Sequence, residues 1–294
     1  MIEVSKLTLT YPSGKGVFDL NFKISEGKVT GYLGPNGAGK TTTIRAIMGF
    51  MAPNSGLCKV NGLDCVKQAP EIQRILGYVP GEIAFLDGMK GQEFLKFLSQ
   101  MRGTNNKKYV DELFERFDVD PTGKIKKLSK GNKQKLAIIA AFMHDPKVLV
   151  LDEPTSGLDP LMQKRFVELI KDEKKKGKTI LMSSHIFEEV EKTCDDVIII
   201  RDGRIVHASD VASLSKASVV RYHVGVSDVD VARGVLSTDY AVTSAGDALE
   251  VMVPKEKVDA FVKALAGMEV LQLESKAQTL EDLFMQYYNK EVAQ

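Results

Sequence analysis

The stretch Gly34-Pro35-Asn36-Gly37-Ala38-Gly39-Lys40-Thr41 decides the fold of this chain. It satisfies the pattern GxxxxGK[ST], and it follows residues 28–33, where polar and apolar side chains alternate as in a strand. Residues 41–48 can continue as a helix. Such a loop presents backbone N–H groups and the positive end of a helix dipole to an anion. The stretch therefore predicts a P-loop. The alternative is a glycine-rich turn without a ligand, but such a turn would need only the glycines and not the complete pattern.

The P-loop predicts which residues contact a nucleotide. Gly37 and Gly39 permit backbone conformations that a side chain would forbid. Lys40 supplies a positive charge for the β and γ phosphates, and Thr41 offers a hydroxyl group to Mg²⁺. Lys40 is therefore also a predicted catalytic residue. The nucleotide-binding residues predicted in this loop are Asn36, Gly37, Ala38, Gly39, Lys40, Thr41 and Thr42.

Two carboxylates follow a second apolar stretch. Residues 148–151 are Val-Leu-Val-Leu, which indicates a buried strand of a parallel sheet. A carboxylate at the end of such a strand faces the ligand crevice, so Asp152 is predicted to hold Mg²⁺, directly or through water. Glu153 is the predicted general base, which orients water in line with the γ phosphate. The alternative is a solvated Asp-Glu pair, and the preceding P-loop favours the metal and the base.

Further motifs occur in the order found in one protein family. Leu128-Ser129-Lys130-Gly131-Asn132 resembles the signature loop of the ATP-binding subunits of ABC transporters, and Ser156-Gly157-Leu158-Asp159 resembles their D-loop. His185, after an apolar strand, resembles their switch histidine, and Tyr11 matches the aromatic residue that stacks on adenine. The alternatives are a structural histidine and an ordinary strand aromatic. The resemblance covers residues 1–210.

The resemblance implies the cofactors, the partners and further site residues. The cofactors are ATP and Mg²⁺, and His185 joins Glu153 and Lys40 as a catalytic residue. The subunit is expected to form a head-to-tail homodimer, or a heterodimer with a related subunit, with each ATP between one P-loop and the other signature loop. Ser129, Gly131 and Asp159 are then cofactor-binding. A separately encoded integral-membrane permease is the implied second partner. A serine with N–H groups at a helix start is indeed an anion site.

Two departures from the family pattern bear on the expected direction of transport. After residues 76–80 the family normally has a glutamine that touches Mg²⁺, but here Gly81 and then Glu82 follow. Glu82 is an alternative oxygen ligand. Lys130 and Asn132 stand where the commonest signature loop has glycine and glutamine. Both departures resemble subunits that work with exporters of drugs, antibiotics, lipids or polysaccharides, so export is favoured over import.

Composition and charge limit the classes of partner and the cellular location that the sequence predicts. The formal net charge is +1, which gives no electrostatic footprint for nucleic acid. The three cysteines, Cys58, Cys65 and Cys194, have no metal-site spacing and indicate a reducing compartment. No apolar run approaches the roughly 18 residues that cross a bilayer, and no signal-peptide pattern follows Met1. We expect a cytoplasmic protein that is peripheral on the inner face of the cell membrane through the permease.

The predicted fold class is α/β, with an ABC-type P-loop NTPase domain over residues 1–215. It combines a parallel core sheet, an antiparallel β layer from residues 1–30 and 56–80, and a helical insert at about residues 90–145. Asn61-Gly62 indicates a hairpin turn. The lysine-rich residues 171–178 are predicted to be the solvated end of a helix that Gly177 stops.

Residues 216–294 are predicted to form a small α+β accessory domain. Strand and helix patterns alternate there in the order of a repeated split βαβ unit, and a helix is predicted over residues 280–288. This segment contains no phosphate loop. A regulatory or dimer-supporting role is the interpretation.

Three functions compete. The leading one is an ATPase that drives a separate membrane exporter. A soluble ABC-type ATPase acting on ribosomes or DNA is the first alternative, which the single P-loop and the lack of sustained heptads disfavour. A nucleotide-sensing subunit that hydrolyses ATP weakly is the second, and Gly81 motivates it.

Overall fold

The computed structural model describes residues 1–86, 88–104, 106–215, 219–246, 248–277 and 280–281. The chain divides into two compact units, Met1–Val211 and Ala212–Gln294. The division falls four residues before the boundary expected from composition. Among the described residues, no helix is both long and apolar enough to cross a membrane.

An antiparallel sheet forms one layer of the first unit. Its strands, in the order β2-β1-β4-β5, are β1 (Ile2–Thr10), β2 (Gly16–Ile24), β4 (Ser55–Val60) and β5 (Leu63–Asp64). Asn61 and Gly62 join the last two strands with φ angles of 48° and 82°. Two successive positive φ angles define the turn that Asn-Gly favours, so the predicted hairpin is confirmed.

A second sheet carries the ends of the strands that build the site. It has the order β10-β9-β3-β8-β7-β6, and every pair except β10-β9 is parallel. All residues of β3, β7 and β8 are buried, as expected for a parallel sheet covered on both faces. The strands are β3 (Val29–Leu33), β6 (Leu76–Val79), β7 (Val148–Asp152), β8 (Thr179–Ser184), β9 (Asp196–Arg201) and β10 (Arg204–Asp210).

One strand lies in a different sheet from the one predicted. Residues 56–80 were expected to belong to the antiparallel layer, but Leu76–Val79 pairs in parallel with Val148–Asp152. The alternating pattern of this strand does not show which sheet it joins. The helix Ala69–Ile75 comes directly before it and carries the chain from one sheet to the other.

Seven helices of the described part surround these sheets. The first packs its buried Ile44 and Ile47 between the two sheets, in a core shared with Leu7, Leu20 and Val150. Three of the helices, with a 3-10 turn at Ile125–Lys127, form the helical insert expected at residues 90–145. The helices are α1 (Lys40–Ile47), α2 (Ala69–Ile75), α3 (Gly91–Arg102), α4 (Lys107–Phe117), α5 (Lys130–Phe142), α6 (Pro160–Lys175) and α7 (Phe187–Thr193).

The lysines near the end of α6 are only partly solvated, which corrects the prediction for residues 171–178. Helix α6 stops before Gly177, whose φ angle is 78°, as predicted. Lys178, however, is buried and forms ion pairs with Glu173 and Asp145. The run of lysines alone does not show that Lys178 pairs with Glu173 and with Asp145.

The second unit is a four-stranded antiparallel sheet in the order β12-β13-β11-β14. The element order β-α-β-β-α-β is the repeated split βαβ arrangement expected from the sequence. The helix predicted over residues 280–288 lies outside the described residues apart from Leu280 and Glu281. A short helix, α8 (Val211–Ser215), precedes the elements β11 (Val219–Val226), α9 (Val229–Leu236), β12 (Ala241–Ala245), β13 (Ala248–Pro254), α10 (Val258–Leu265) and β14 (Val270–Ala277).

Candidate functional site

The glycine-rich loop connects the end of β3 to the first turn of α1. Gly37 and Gly39 have φ angles of 82° and 109°, a region that favours glycine. A Cβ atom on Gly39 would also lie 2.5 Å from the side chain of Val17. Ala38 is buried, and its carbonyl accepts a hydrogen bond from the N–H of Gly203, while Asn36 is exposed. The loop is therefore fixed at its base and open at its tip.

The ammonium group of Lys40 lies inside this loop. The residue is 5% exposed, and Nζ donates to the carbonyl oxygens of Gly34 at 2.7 Å and Pro35 at 3.2 Å. Nζ also lies 3.6 Å from Oε1 of Glu153. A positive charge thus stands at the N-terminus of α1, where the backbone N–H groups already favour an anion.

Oxygen ligands converge at the end of β7. The hydroxyl of Thr41 donates to Oδ2 of Asp152 at 2.8 Å, and the hydroxyl of Ser183 donates to Oδ1 at 2.6 Å. Asp152 is buried. A hydroxyl beside a carboxylate fits Mg²⁺, which proteins usually hold through one or two carboxylates together with phosphate oxygens. Thr41 and Asp152 are therefore the residues that would hold Mg²⁺.

Glu153 has an unusual backbone, and its carboxylate lies between the side chains of Lys40 and His185. Its φ angle is 48°, and its N–H donates to both the carbonyl and the hydroxyl of Ser183, at 3.2 and 2.9 Å. Nδ1 of His185 lies 3.4 Å from its Oε2, and Lys40 faces its other oxygen. The His185 side chain is 58% exposed. The structure therefore brings the three predicted catalytic residues together at one end of the parallel sheet.

Tyr11 lies beside the first helix rather than in the P-loop itself. Its hydroxyl is 3.5 Å from Oγ1 of Thr42 and 3.4 Å from the sulfur of Met51, and Arg45 donates to it at 3.4 Å. The hydrogen bond with Thr42 lowers the pKa of Tyr11. The ring is half-buried, so it retains an accessible surface next to Thr42.

Ser129, Gly131 and Asp159 form a second group. Ser129 is the N-cap of α5 and accepts a hydrogen bond from the N–H of Asn132 at 3.2 Å. Asp159 is the N-cap of α6 and accepts from the N–H of Met162 at 3.0 Å. A Cβ atom on Gly131 would lie 3.0 Å from the carbonyl oxygen of Gly157, so the signature loop lies against the D-loop. The described hydrogen bonds give both polar side chains a local capping role.

Comparison with known proteins identifies the family. The sequence model described as "ABC transporter" matches residues 17–156. The chain is 39% identical over 206 residues to the ABC transporter ATP-binding protein NatA of Bacillus subtilis, covering 68% of this chain and 84% of that protein. This chain belongs to the ABC transporter ATP-binding proteins. A second model, described as an AAA domain and putative AbiEii toxin of a Type IV TA system, matches residues 122–191.

Two further comparisons extend the match. The chain is 30% identical over 305 residues to the Nod factor export ATP-binding protein I of Rhizobium etli, covering 99% of this chain and 94% of that protein. A solved structure described as the ATP-binding subunit of an ABC transporter has a TM-score of 0.69 and 29% identity, covering 74% of this chain and 92% of that one. The predicted family and the predicted ABC ATPase fold are confirmed. The subunit binds ATP and is an ATPase coupled to transport.

Gly81, where the chain departs from the family pattern, lies beside Asp152. Gly81 follows β6, and a Cβ atom on it would lie 3.1 Å from Oδ2 of Asp152. A side chain there would be in tight contact with the carboxylate that accepts the Thr41 hydrogen bond. Glu82 is exposed. This ABC ATPase therefore offers no side-chain ligand from position 81.

Sequence reasoning missed three polar residues of the site. Ser183 holds Asp152 and the N–H of Glu153, while Gln134 of α5 donates to the carbonyl of Pro154 at 2.7 Å. Glu189 of α7 accepts hydrogen bonds from two hydroxyls nearby. The available signal is a polar residue at a position where the strand or helix pattern predicts burial, because buried polar groups are nearly always hydrogen-bonded.

Proposed function

We propose that this ABC ATPase powers a separate membrane exporter and works as a head-to-tail dimer around two ATP molecules. The contacts of Glu153 carry the proposal. One carboxylate oxygen faces Lys40 and the other faces His185, next to the Thr41–Asp152 pair. A carboxylate in this position supports hydrolysis of a bound triphosphate, because it can orient the water molecule that attacks the γ phosphate.

The residues divide the chemistry of hydrolysis. Lys40 and the N-terminus of α1 hold the phosphates. Glu153 is the general base, and its carboxylate accepts a hydrogen bond from the attacking water. His185 is available to contact the γ phosphate, since its ring is exposed beside Glu153. Thr41 and Asp152 would hold Mg²⁺, which supplies charge neutralisation on the phosphates when bound. Tyr11 offers its ring face to the adenine.

The group formed by Ser129, Gly131 and Asp159 supports the proposed dimer. Ser129 and Gly131 start α5, and an exposed helix start of this kind binds anions. The exposed Leu161 follows Asp159 in the first turn of α6 and adds apolar surface for a partner. We infer that each signature loop meets the ATP of the other subunit and that ATP stabilises the closed dimer relative to the open one. The partner is a second copy or a related subunit.

An exposed aromatic surface suits the membrane partner. Phe50 is 57% exposed and contacts Tyr78 edge-on, with ring centroids 5.7 Å apart. Tyr78 belongs to β6, three residues before Gly81, so a partner on this surface would lie close to Asp152. We infer that an integral-membrane permease docks there and holds the subunit on the inner face of the membrane. Phe50→Asp should release the protein from the membrane fraction of its cells without reducing ATP affinity.

The export direction rests on the resemblance of the signature loop and on one relative. The Nod factor export ATP-binding protein I carries export in its name and matches 99% of this chain. Lys130 and Asn132 depart from the commonest signature loop in the manner of exporter subunits.

Gly81 favours one alternative, a nucleotide-sensing subunit that hydrolyses ATP weakly. Without a side chain at this position, one ligand of the family's metal site is absent. The contacts of Glu153, His185 and Lys40 support turnover instead. A soluble ATPase acting on ribosomes or DNA receives no support from the net charge of +1.

The deciding experiment is analytical sedimentation of Glu153→Gln with ATP in the absence of Mg²⁺. This variant should keep ATP bound without turnover, so a monomer that becomes a dimer on ATP addition supports the sandwich mechanism. Lys40→Ala in the same background is the control, because it removes the phosphate contact. A protein that binds ATP and stays monomeric would overturn the ATP-driven dimer in the isolated subunit. Hydrolysis by Glu153→Gln at the parent rate would overturn the base assignment.

The second unit is proposed to support the dimer or regulate it. It has its own core, formed by strand residues such as Val224 and Val251 and by Phe261 of α10. Truncation after Ser215 should therefore leave the first unit folded and weaken ATP-driven dimerisation. Unchanged dimer affinity by sedimentation would remove this role.

A further inference from the structure

A buried carboxylate lies behind the proposed catalytic residues without touching the nucleotide loop. Glu189 of α7 is 5% exposed. Its Oε2 accepts a hydrogen bond from the hydroxyl of Thr155 at 3.0 Å and another from the hydroxyl of Ser184 at 3.2 Å. One carboxylate oxygen thus joins two separate segments of the chain.

Both segments belong to the hydrolytic site. Thr155 comes two residues after Glu153, and Ser184 comes directly before His185. Both hydroxyl-bearing residues are buried, so their geometry is set by their protein partners. The hydroxyl of Ser184 also accepts from the N–H of Ile186 at 2.9 Å, which fixes the turn that carries His185.

The burial of Glu189 costs stability that its hydrogen bonds offset only in part. Burial raises the pKa of Glu189, and the hydrogen bonds from Thr155 and Ser184 act in the opposite direction. Its Oε1 is buried with no hydrogen-bond partner in the described part of the chain. An unpaired buried carboxylate oxygen is costly, so an apolar residue would suit a purely structural position better.

We propose that Glu189 is a positioning residue for ATP hydrolysis, which sets the distance between Glu153 and His185. The two catalytic side chains are 3.4 Å apart, and Glu189 holds the segment after one and the segment before the other. Glu153 has a φ angle of 48°, which its neighbours must maintain because such a backbone is disfavoured for a non-glycine residue. The inference rests on the proposed role of Glu153 as the base.

The test compares Glu189→Ala, Glu189→Gln and Thr155→Val in the full chain. The readouts are kcat and KM for ATP hydrolysis, and the dissociation constant for ATP measured by titration without Mg²⁺. Glu189→Ala should lower kcat by about 10- to 100-fold, because small displacements of catalytic groups have effects of this size. ATP affinity should stay within about twofold, since Lys40 and the P-loop are not contacted by Glu189. Glu189→Gln keeps an acceptor oxygen and should restore most of kcat.

Control variants separate positioning from stability. Glu188→Ala removes the neighbouring, exposed carboxylate of the same helix and should leave kcat unchanged. Thr155→Val preserves shape and removes one partner, so it remains informative if Glu189→Ala fails to fold. Combined with Glu189→Ala, Thr155→Val should lower kcat no further than Glu189→Ala alone, because contacting residues in one network couple.

Specific outcomes overturn the inference. Parent-like kcat in both Glu189→Ala and Thr155→Val would do so. A loss of kcat that accompanies an equal loss of ATP affinity would also do so, because it would place the effect of Glu189 on nucleotide binding rather than on the geometry of the catalytic residues. The base assignment is checked separately: Glu153→Gln with parent turnover refutes that assignment, whereas inactive Glu153→Gln with active Glu189→Ala refutes only the positioning role.

Discussion

The side-chain amide of Gln134 donates a hydrogen bond to the carbonyl oxygen of Pro154 across 2.7 Å. Pro154 follows Glu153, and Gln134 lies on α5, five residues after Ser129. Both partners are buried. The helix that begins at the signature loop is therefore joined, within one subunit, to the loop that carries the proposed base.

The first prediction concerns this hydrogen bond. Gln134→Leu leaves the buried carbonyl of Pro154 unpaired, which costs about 1–3 kcal/mol. If part of that cost displaces Glu153, kcat should fall by roughly tenfold while ATP affinity is retained. Steady-state hydrolysis and ATP titration measure the two quantities. Gln73→Leu is the matched control, because Gln73 also donates to a backbone carbonyl, that of Met48 at 3.2 Å. Equal loss of kcat in both variants would argue against the coupling.

The second prediction concerns Lys40. Lys40→Ala removes an ammonium group that already lies in the P-loop, 2.7 Å from the carbonyl of Gly34. Charged hydrogen bonds contribute about 1.5–3 kcal/mol, so ATP affinity should fall by roughly 10- to 100-fold. ATP titration by calorimetry measures it. Lys23→Ala, which removes an exposed lysine paired with Glu3, should bind ATP like the parent. Parent-like affinity in Lys40→Ala would refute the phosphate role.

The third prediction separates binding from dimerisation. Ser129→Arg places a bulky cation at the exposed start of α5, where the signature loop is proposed to meet the partner's ATP. In the Glu153→Gln background it should abolish the ATP-induced dimer seen by sedimentation. ATP affinity of the monomer should stay within about threefold, because the P-loop of the same chain is unchanged. A dimer of normal affinity would place Ser129 outside the interface.

The sequence predicted the parts of this site that depend on local pattern. The P-loop, the strand before Asp152 and the Asn61-Gly62 hairpin each follow from neighbouring residues, and the structure contains all three. Long-range partners were not predictable in this way. Nothing local shows that Glu189 meets Thr155, or that Leu76–Val79 joins the parallel sheet, because side-chain partners across the fold are set by packing.

The unpredictability of side-chain partners also explains why the prediction for the lysines near residue 178 was wrong. A run of lysines suggests a solvated helix end, but Lys178 is ion-paired with the buried Glu173. The aliphatic stem of a lysine can be buried when a carboxylate is present to pair with its charge. Charge counting along the chain does not reveal that partner.

The last prediction links His144 to the stability of the helical insert. Arg102, the last residue of α3, donates to Nε2 of His144 at 2.8 Å and to the carbonyl of Gln73 at 2.9 Å. Because Nε2 accepts from an arginine, protonation of His144 would place two cations in contact. Burial and the charge of Arg102 lower the pKa of His144 to about 4. Arg102 thus joins α3 both to α2 and to a histidine that must stay neutral.

The sign of the pH dependence follows from this depressed pKa. Above pH 6.5 His144 is neutral whether folded or unfolded, so its full contribution to stability is present. As the pH falls from 6.5 to about 4, only the unfolded chain takes up the proton, and stability is lost. Allowing for partial solvent screening, the loss should be about 2 kcal/mol. Urea unfolding of the parent and of His144→Gln at pH 7 and pH 4 measures this loss as a difference. His144→Gln should lose less stability than the parent on acidification, and equal losses would contradict the assignment.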